Sequence, residues 1–384
     1  MGPMINVLLL VKRYTGNYPL LNEMAKLDEN RFRRVVCYLG GEKDGQNPLD
    51  SLAKTYYLGL KNHEIRLWNG KLRRRLAEII DAEQIHVVNC HLQRTIAVGV
   101  AAARMARNRP AVVATLHGLG SADSLQRKLG NWLLYRHLYK VVGVSEGVTQ
   151  DILCNNWHLT PDRVVAIYNG IDTAPFLQPQ PKDVMRQKLF PEIRGNIWFG
   201  TAGRLTRVKN QKNLLLAFKR CVDIFPESVL LICGRGEAET ELRSLASSLG
   251  LDSRVHFLGF RRDIAQVLAT LDVFVLPSLR EGFGLALVEA MCSGIPVIAS
   301  QVGGVPEIFG EAAVGELIDP ESIDGLTNAM IRISQCSGED RVRLGENARD
   351  RVLRNFTAEK MVKKYEEIYE AACHDLPVNR GGWP

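Results

Sequence analysis

Two glutamates in the second half of the sequence stand where carboxylates could bind a polar ligand. The stretch from Leu279 to Ser300 reads LREGFGLALVEAMCSGIPVIAS, and its carboxylates are Glu281 and Glu289. At about 100° per residue, Glu289 falls on or beside the apolar face of a helix, where an unpaired carboxylate is destabilising. We therefore expect a ligand to satisfy Glu289, such as the two vicinal hydroxyls of a ribose. The alternative is an exposed glutamate that the helix dipole alone favours.

The residues around Glu281 favour an anionic ligand. Pro277 and Gly282 place Glu281 in a loop that follows a strand, so that it points toward a ligand-binding cleft. Gly284 lets the backbone come close to a ligand. The helix that begins near Leu285 directs its free N–H groups and the positive end of its dipole to the same place. A phosphate would suit this position.

A second candidate phosphate site lies earlier in the chain. The run from Gly203 to Asn210, GRLTRVKN, carries three cations in a turn between a strand and a helix. An arginine offers a planar fork of donors, and a lysine offers a movable point charge. The turn therefore has the form of a diphosphate clamp, and the alternative is a set of surface cations on an ordinary loop.

Several classes of ligand site are absent from the sequence. The segments Gly118-Leu-Gly120 and Gly234-Arg-Gly236 lack the third glycine of a dinucleotide fingerprint, and no phosphate-binding loop of the nucleotide hydrolases is present. The closest cysteines, Cys221 and Cys233, are twelve positions apart, and the histidines show no ligand spacing. We expect no metal site, no cofactor, and reduced cysteines that mostly lie in the core.

Short apolar runs alternate with helical patterns along the chain, which is typical of parallel α/β architecture. The predicted strands are Ile5–Val11, Arg34–Leu39, Val87–Cys90, Val112–Leu116, Lys140–Val144, Val164–Ile167, Asn196–Thr201, Val229–Cys233, Val255–Leu258, Val273–Leu276 and Pro296–Ala299. The predicted helices include Gly70–Ile80, Thr95–Ala106, Gln211–Phe225, Glu237–Leu249 and Asp263–Leu271.

The length of 384 residues suggests two domains. A break near 170–180, where Tyr168-Asn169-Gly170-Ile171-Asp172 is followed by Pro175, Pro179 and Pro181, predicts a linker. We expect doubly wound domains over 1–172 and 173–356, with ligands in the cleft between them at the carboxyl ends of the strands. The C-terminal segment, about 357–384, is expected to pack back on the first domain through a helix over roughly Thr357 to Ala372.

The basic surplus belongs to the first half of the chain. Residues 1–170 contain 23 Lys and Arg against 14 Asp and Glu, a net charge of +9, whereas the remainder has a net charge of −2. These cations are either solvated helix faces or a surface for an anionic partner, which is a membrane or a phosphorylated acceptor. No nucleic-acid-binding motif is present. The apolar opening Met4 to Val11 is far shorter than the roughly 18 residues of a membrane span, so we expect a buried strand and a cytoplasmic protein.

Taken together, these motifs resemble the signature of the family 4 retaining glycosyltransferases, which have the GT-B fold of two Rossmann-like doubly wound domains facing across a cleft. The similarity spans about residues 5 to 370 and is strongest from 200 to 310. The matching segments are Val144-Ser145-Glu146, Asn169-Gly170-Ile171-Asp172, Gly203-Arg204 through Lys209, Gly234-Arg235-Gly236-Glu237, Pro277-Ser278, Glu281 through Glu289, Gly294-Ile295-Pro296-Val297-Ile298-Ala299 and Gly303-Gly304-Val305-Pro306-Glu307.

The resemblance implies roles for residues of the second domain. Arg204 and Lys209, in the turn that Gly203 opens, would neutralise the diphosphate of the donor. Glu289 would hold the ribose diol. Glu281 would bind the transferred hexose and the pyrophosphate together with backbone amides, which are those around Phe283, Gly284 and Leu285.

Four further residues match positions that contact the donor in this family. Phe260 and Arg261 occupy the place where such enzymes touch the base. In the first domain, His117 matches a histidine that touches the donor sugar near its reacting centre. The first-domain phosphate loop often carries a Gly-Gly pair, whereas Thr15-Gly16-Asn17 has one glycine. Gly16 is expected to let this loop approach the acceptor or a donor phosphate.

The resemblance predicts a metal-independent glycosyltransferase that moves a hexose from a nucleotide-diphosphate sugar, expected to be a UDP-sugar, to a glycan or lipid-linked acceptor. A bacterial cell-surface glycan such as lipopolysaccharide core fits best, with peripheral contact between the basic N-terminal domain and the inner face of the plasma membrane. The alternatives are a sugar-nucleotide epimerase on the same fold and a nucleotide-sugar-binding protein without catalysis.

Overall fold

The structure, a computed structural model, describes residues 3–16, 19–120, 122, 124–177 and 181–375. The chain forms two compact units, the first running to Gly170 and resuming at Ala358, and the second spanning Ile171–Thr357. Pro179 of the predicted linker lies outside the described residues. Pro175 lies in a short 3₁₀ helix, Ala174–Phe176.

Two parallel sheets form the frame of the described part of the chain, with seven strands in the first unit and six in the second. The strands of the first are β1 (Ile5–Arg13), β2 (Phe32–Gly40), β3 (Lys54–Tyr57), β4 (Val87–His91), β5 (Ala111–Leu116), β6 (Lys140–Gly143) and β7 (Val164–Ala166). Those of the second are β8 (Ile197–Ala202), β9 (Ser228–Cys233), β10 (Val255–Gly259), β11 (Val273–Leu276), β12 (Val297–Ser300) and β13 (Gly315–Ile318).

Helices connect the strands. In chain order they are α1 (Pro19–Met24), α2 (Leu49–Leu52), α3 (Gly70–Ala82), α4 (Gln93–Met105), α5 (Leu125–Tyr135), α6 (Glu146–Asn155), α7 (Lys182–Leu189), α8 (Gln211–Ile224), α9 (Glu239–Ser248), α10 (Ile264–Leu268), α11 (Leu285–Cys292), α12 (Val305–Phe309), α13 (Ile323–Gln335), α14 (Gly338–Asn355) and α15 (Ala358–Asp375). The predicted α/β architecture is confirmed.

The strands bury both faces, as expected where helices cover a parallel sheet on either side. Every residue of β4, β5, β9, β11 and β12 is buried. Five of the eight cysteines are also buried, and all eight are free. The apolar opening forms β1, as predicted.

The last helix, α15, belongs to the first unit. Tyr369 is buried, and its hydroxyl accepts a hydrogen bond of 2.7 Å from the side-chain amide of Asn89 in β4. Asn89 in turn accepts from the Thr115 hydroxyl at 2.9 Å. These buried polar groups satisfy one another, which ties α15 to the centre of the sheet.

Each sheet reverses its strand order once near its middle. The order is β3-β2-β1-β4-β5-β6-β7 in the first unit and β10-β9-β8-β11-β12-β13 in the second. The crevice at such a reversal, at the carboxyl ends of the strands, is where doubly wound sheets bind ligands. The loops that follow β1, β4, β8 and β11 are therefore the places to look for a site.

Helix α14 fixes the end of α11, the helix that carries Glu289. The Arg349 guanidinium donates to the carbonyls of Cys292 and Ser293 at 3.2 and 3.1 Å, and so caps the carboxyl end of α11. At Gly345 the two segments touch, because a Cβ there would lie 2.0 Å from the Gly294 carbonyl oxygen. Glycine is therefore needed within α14 for steric reasons.

Gly345→Ala should consequently destabilise the second unit, although alanine is the better helix former. We expect a loss of about 1–3 kcal/mol in the free energy of unfolding, typical of overpacking, measured by urea denaturation. Gly338→Ala in the same helix is the control, since nothing lies within 4 Å of its Cβ position. Equal stability of the two variants would contradict this packing.

Candidate functional site

The loop after β8 is held in place by backbone packing against the loop after β9. Gly203 N–H donates to the Cys233 carbonyl at 3.0 Å. A Cβ at Gly234, whose φ is +138°, would lie 1.8 Å from the Gly203 oxygen, and one at Gly236 would lie 2.1 Å from the Leu205 oxygen. The glycines of the Gly-Arg-Gly motif thus let the two loops stack.

An ion pair joins the loops after β8 and β11 across the reversal of the second sheet. The Lys209 ammonium contacts the Glu281 carboxylate, and the two side chains are 23% and 14% exposed. The Ser278 hydroxyl donates to the same carboxylate oxygen at 3.4 Å, and Leu279 N–H donates to the Val208 carbonyl at 2.8 Å. Lys209 and Glu281, 72 positions apart, therefore form one charged cluster.

Arg204 is a further cation of the loop after β8, five positions before Lys209. Its side chain is exposed, and among the described residues no carboxylate is paired with it. Its backbone is held by the Gln211 side chain, whose amide donates to the Arg204 carbonyl at 3.1 Å. The guanidinium is therefore available for an incoming anion, while Lys209 already faces a carboxylate.

Gly284 turns the chain from Glu281 into α11. It has φ of +112°, a conformation that strains other residues, and its Cβ position is 3.6 Å from Glu281 Cγ. Gly284 caps the helix without a side-chain hydrogen bond. The first N–H groups of α11 have no carbonyl partner within the helix, so the positive end of the helix dipole lies next to Glu281.

Glu289 lies on α11 among buried neighbours, which are Leu287, Val288, Ala290, Met291 and Cys292. Its own side chain is half-buried, and within the described ranges its carboxylate has no hydrogen-bond donor and no ion-pair partner. Burial raises the pKa of Glu289 to about 7. The helix thus holds a carboxylate that no described residue pairs with or hydrogen-bonds, and its role in ligand binding stays a prediction.

Phe260 and Arg261 follow β10, at the outer edge of the second sheet. Phe260 is 63% exposed, and its ring is open to stacking. Arg261 makes a two-pronged contact with Asp263, at 2.8 and 2.6 Å, and its guanidinium lies 5.8 Å from the centre of the Phe190 ring. Phe260 is therefore free for an aromatic ligand, whereas Arg261 is engaged in an intramolecular pair.

Gly16 and His117 belong to the first unit. Gly16, with φ of +97°, follows β1 at the reversal of the first sheet and has open space around its Cβ position. Asn17, its neighbour in the predicted loop, lies outside the described residues. His117 directly follows β5 at the same carboxyl edge.

His117 is paired with a second histidine that the motifs did not indicate. Its Nε2 lies 3.0 Å from Nδ1 of His91, the last residue of β4, and the two rings stack with planes 22° apart. Burial lowers the pKa of His117 to about 4. Burial, together with the neighbouring His117, also holds the pKa of His91 well below its usual range. The predicted strand Val87–Cys90 ended one residue short of His91, so only strand-end alignment with His117 could have indicated the pair.

The structure thus pairs Lys209 with Glu281 and places Gly284 next to Glu281. Arg204 lies in the loop after β8 and Glu289 on α11 of the same unit, while Gly16 and His117 belong to the first unit. Within the described ranges, no group of three or more His, Cys, Asp or Glu side chains could hold a metal ion.

Comparison with known proteins places both units in one family. Residues 20–175 match the model of Glycosyltransferase Family 4, and residues 187–351 match that of Glycosyl transferases group 1. The UDP-Gal:alpha-D-GlcNAc-diphosphoundecaprenol alpha-1,3-galactosyltransferase of Escherichia coli is 30% identical over 319 residues, 79% of each chain. The N-acetyl-alpha-D-glucosaminyl L-malate synthase of Bacillus anthracis is 28% identical over 312 residues, again 79% of each.

A solved structure matches the fold over nearly the whole chain. Anabaena HepE, crystallised in complex with UDP-glucose, superposes with a TM-score of 0.83 at 23% identity, covering 96% of this chain and all of the other. The two parallel sheets and their helices thus have the GT-B architecture of that protein. The chain belongs to the family 4 glycosyltransferases and is an enzyme with the GT-B fold.

Proposed function

We propose that the protein transfers a hexose from a UDP-sugar to a cell-surface glycan, such as lipopolysaccharide core or a lipid-linked intermediate, with retention of configuration and without a metal ion. The observation that carries the proposal is the Lys209–Glu281 pair at the sheet reversal, with the start of α11 next to Glu281 and Arg204 in the same loop as Lys209. Cations and helix N–H groups at one place suit a diphosphate.

Charge explains how these residues would act. Transfer breaks the bond between the anomeric carbon and the diphosphate oxygen, which leaves an oxocarbenium-like sugar and a leaving group with growing negative charge. Arg204, Lys209 and the N–H groups of α11 would stabilise that charge without reorganising. Glu289 would accept hydrogen bonds from the ribose hydroxyls, and the exposed ring of Phe260 would stack on the base.

Retention requires the acceptor oxygen to attack from the face that the leaving group vacates. In the proposed step this oxygen bonds to the anomeric carbon while its proton passes to the departing phosphate oxygen, so no protein base is needed. Glu281 is held by Lys209 and Ser278, which suits a positioning role better than that of a nucleophile. His117, with its pKa lowered to about 4, would contact the sugar as a neutral imidazole.

The acceptor proposal rests on the relatives and on charge. The Escherichia coli relative is named for a sugar linked to diphosphoundecaprenol, which is an anionic lipid-linked acceptor. The basic first half of this chain suits such an acceptor and an anionic membrane surface. We therefore also propose that the enzyme acts in the cytoplasm, at the inner face of the plasma membrane. Within the described ranges, no helix is long and apolar enough to cross a membrane.

Nucleotide release tests this function directly. The protein is incubated with a panel of nucleotide sugars, with and without lipid-linked or lipopolysaccharide-core acceptors. Acceptor-dependent release of UDP is the expected result. Interconversion of the nucleotide sugar without release would instead identify an epimerase, and saturable binding without any turnover would identify a binding protein.

Lys209→Ala and Glu289→Ala should each lower turnover by at least about a hundredfold, since each removes a group that contacts the donor. Steady-state kinetics measures the effect, and circular dichroism checks that the fold is retained. Lys212→Ala, an exposed lysine at the start of α8, is the matched control and should be near wild type. Near-normal activity of both site variants would rule out this site.

Glu289 should also give a specific pH dependence. Because its pKa is raised in the folded state from 4.5 to about 7, the folded protein keeps a proton that the unfolded chain loses, and stability falls as the pH rises through this window. Glu289→Gln should therefore raise the melting temperature at pH 8 by a few degrees, with a smaller gain at pH 5. UDP binding should show the opposite trend in the wild type, tightening as Glu289 ionises.

Isothermal titration with UDP and thermal unfolding at both pH values check these two trends. The variant should bind UDP weakly and almost independently of pH, because it cannot ionise. Glu321→Gln, an exposed control on the same unit, should change neither quantity. A variant that binds UDP as tightly as the wild type would show that Glu289 does not hold the ribose.

A further inference from the structure

Helix α5 of the first unit exposes an apolar face. Leu125, Leu129, Trp132 and Leu133 are 68%, 49%, 43% and 50% exposed. Their spacing of 4, 7 and 8 residues from Leu125 places them on one side of the helix. We call these four side chains the α5 face. The buried residues of this helix are Asn131 and Tyr135, so α5 turns its polar side inward.

The charged side chains in the segment of the sequence that contains α5 all have one sign. Residues 124–145 contain Arg127, Lys128, Arg136 and Lys140 and no acidic residue. The Arg136 guanidinium lies 5.8 Å from the centre of the Trp132 ring. A second exposed tryptophan, Trp157, follows Asn156, whose side chain accepts a hydrogen bond of 2.8 Å from Asn131. Leucine, tryptophan and basic residues on one helix are the composition of helices that lie in a lipid interface.

We propose that the α5 face inserts into the headgroup region of an anionic bilayer. Leucines and Trp132 would enter the acyl boundary, and the surrounding cations would pair with lipid phosphates. This inference rests on the proposed function and deepens its membrane contact, which it places on α5. The other candidate in the first unit is the basic helix α3. In α3 the leucines and isoleucines are buried, and its exposed residues are charged ones such as Arg74 and Arg75, apart from the terminal Ala82.

Vesicle co-sedimentation tests the α5 face without using enzyme activity. The full chain is mixed with vesicles of phosphatidylcholine alone or with phosphatidylglycerol added. Leu129→Gln with Leu133→Gln should lower partitioning onto the anionic vesicles about tenfold or more, and Lys128→Gln should weaken it in a salt-dependent way. Val342→Gln, which removes a 58% exposed apolar side chain from α14, should bind as the wild type does.

Three outcomes of the vesicle assay would overturn the α5 proposal. They are a wild-type chain that does not sediment with anionic vesicles, a double leucine variant that binds normally, and loss of binding only in Arg74→Gln with Arg75→Gln. Light scattering tests whether a second copy of the chain covers the α5 face instead of a bilayer. A dimer that forms in the wild type and is lost in the double leucine variant would identify the α5 face as a contact between copies. Loss of sugar transfer with intact vesicle binding would count against the proposed function alone.

A second inference concerns the histidine pair, and it rests on different observations. His91 is 1% exposed, and its Nε2 is buried without a hydrogen-bond partner. The next residue, Leu92, has φ of +76° and ψ of 153°, a conformation that strains any residue with a side chain. The Thr95 hydroxyl donates to the His91 carbonyl at 2.5 Å. The backbone at the end of β4 is therefore strained at Leu92 and tied to α4 through Thr95, which fixes the position of His91.

The orphaned nitrogen of His91 decides which way the pair shares its proton. Suppose that the proton between the two rings belonged to His117 Nε2. The proton of the neutral His91 ring would then lie on His91 Nε2, which is buried and would be a donor without an acceptor. If His91 Nδ1 carries the proton between the rings, the orphaned Nε2 is only an unused acceptor. Buried donors without partners are much the rarer of the two. His91 Nδ1–H therefore donates to His117 Nε2, and the remaining proton of His117 resides on Nδ1.

We infer that His91 is a positioning residue that keeps His117 in the Nδ1–H form, so that it presents a neutral donor to a hydroxyl oxygen of the transferred sugar. This inference rests on the proposed function, in which His117 contacts the donor sugar. Removal of a residue that orients a functional histidine in metal sites lowers activity about 10–100-fold, and we expect an effect of that order here.

His91→Leu should lower kcat by about tenfold or more with little change in KM for the donor, while His91→Asn, whose amide N–H can replace Nδ1–H, should recover most of the loss. His86→Leu is the control. His86 directly precedes the first residue of β4, at the other end of the strand from His91, and its Nδ1 accepts a hydrogen bond from the Asn6 N–H. The ¹⁵N shifts of the imidazole nitrogens report the tautomer directly. In His91→Leu the His117 signals should move from the Nδ1–H pattern toward a mixture.

An Nε2–H pattern for His117 in the wild type would overturn this inference, whatever the activity. So would an unchanged His117 pattern in His91→Leu. Because the ¹⁵N measurement needs no substrate, failure of the proposed function would leave it intact. Failure of the inference would likewise leave acceptor-dependent UDP release unaffected.

Discussion

The ion pair between Lys209 and Glu281 is the interaction on which the second-unit site depends. It connects the loop after β8 to the loop after β11, so the two sides of the sheet reversal keep one relative position. Both side chains are largely shielded from water, and removal of one would leave the other charge uncompensated. A diphosphate that binds here must share Lys209 with a carboxylate. In the proposed function, Arg204 and the start of α11 would supply the surplus of positive charge.

The position of Glu289 shows how the fold maintains an unfavourable group. Helix α11 is short and otherwise apolar, so little within it stabilises a carboxylate. Its support comes from outside, through the Arg349 cap and the close contact at Gly345. A helix held by its neighbours can carry a residue that its own packing disfavours. Residues of binding sites commonly lower the folding stability of the protein that carries them.

The sequence alone predicted the strands and helices that have strong hydrophobic patterns or clear glycine signals. The apolar runs predicted β1, β9 and β11 nearly to the residue, and the glycines around Glu281 predicted where α11 begins. The strands β3 and β13 were missed because most of their residues are only half-buried and their patterns are weak. Helices α13 and α14 were also not among the predicted elements. Tertiary contacts set these elements more than local propensity does.

The individual site residues were easier to predict than their pairings. Glycine spacing and charge indicated Lys209 and Glu281 separately, but only the strand order brings residues 72 positions apart into contact. Arg261 looked available in the sequence, yet Asp263 two positions on engages it. His91 carried no motif at all, because its significance comes from the parallel register of β4 and β5. Pairings of this kind depend on topology, which residue types alone do not specify.

Strand β5 directly precedes the segment that carries both His117 and the α5 face, the two features of the first unit to which we assign a role. His117 follows it immediately, and α5 begins eight residues later at Leu125. Since an extended residue spans at most about 3.6 Å, the start of the α5 face lies within about 29 Å of His117. A bilayer that touches α5 would therefore hold the headgroup of an anchored acceptor within a few nanometres of the histidine pair. Such tethering raises the local concentration of acceptor without any further contact to the sugar.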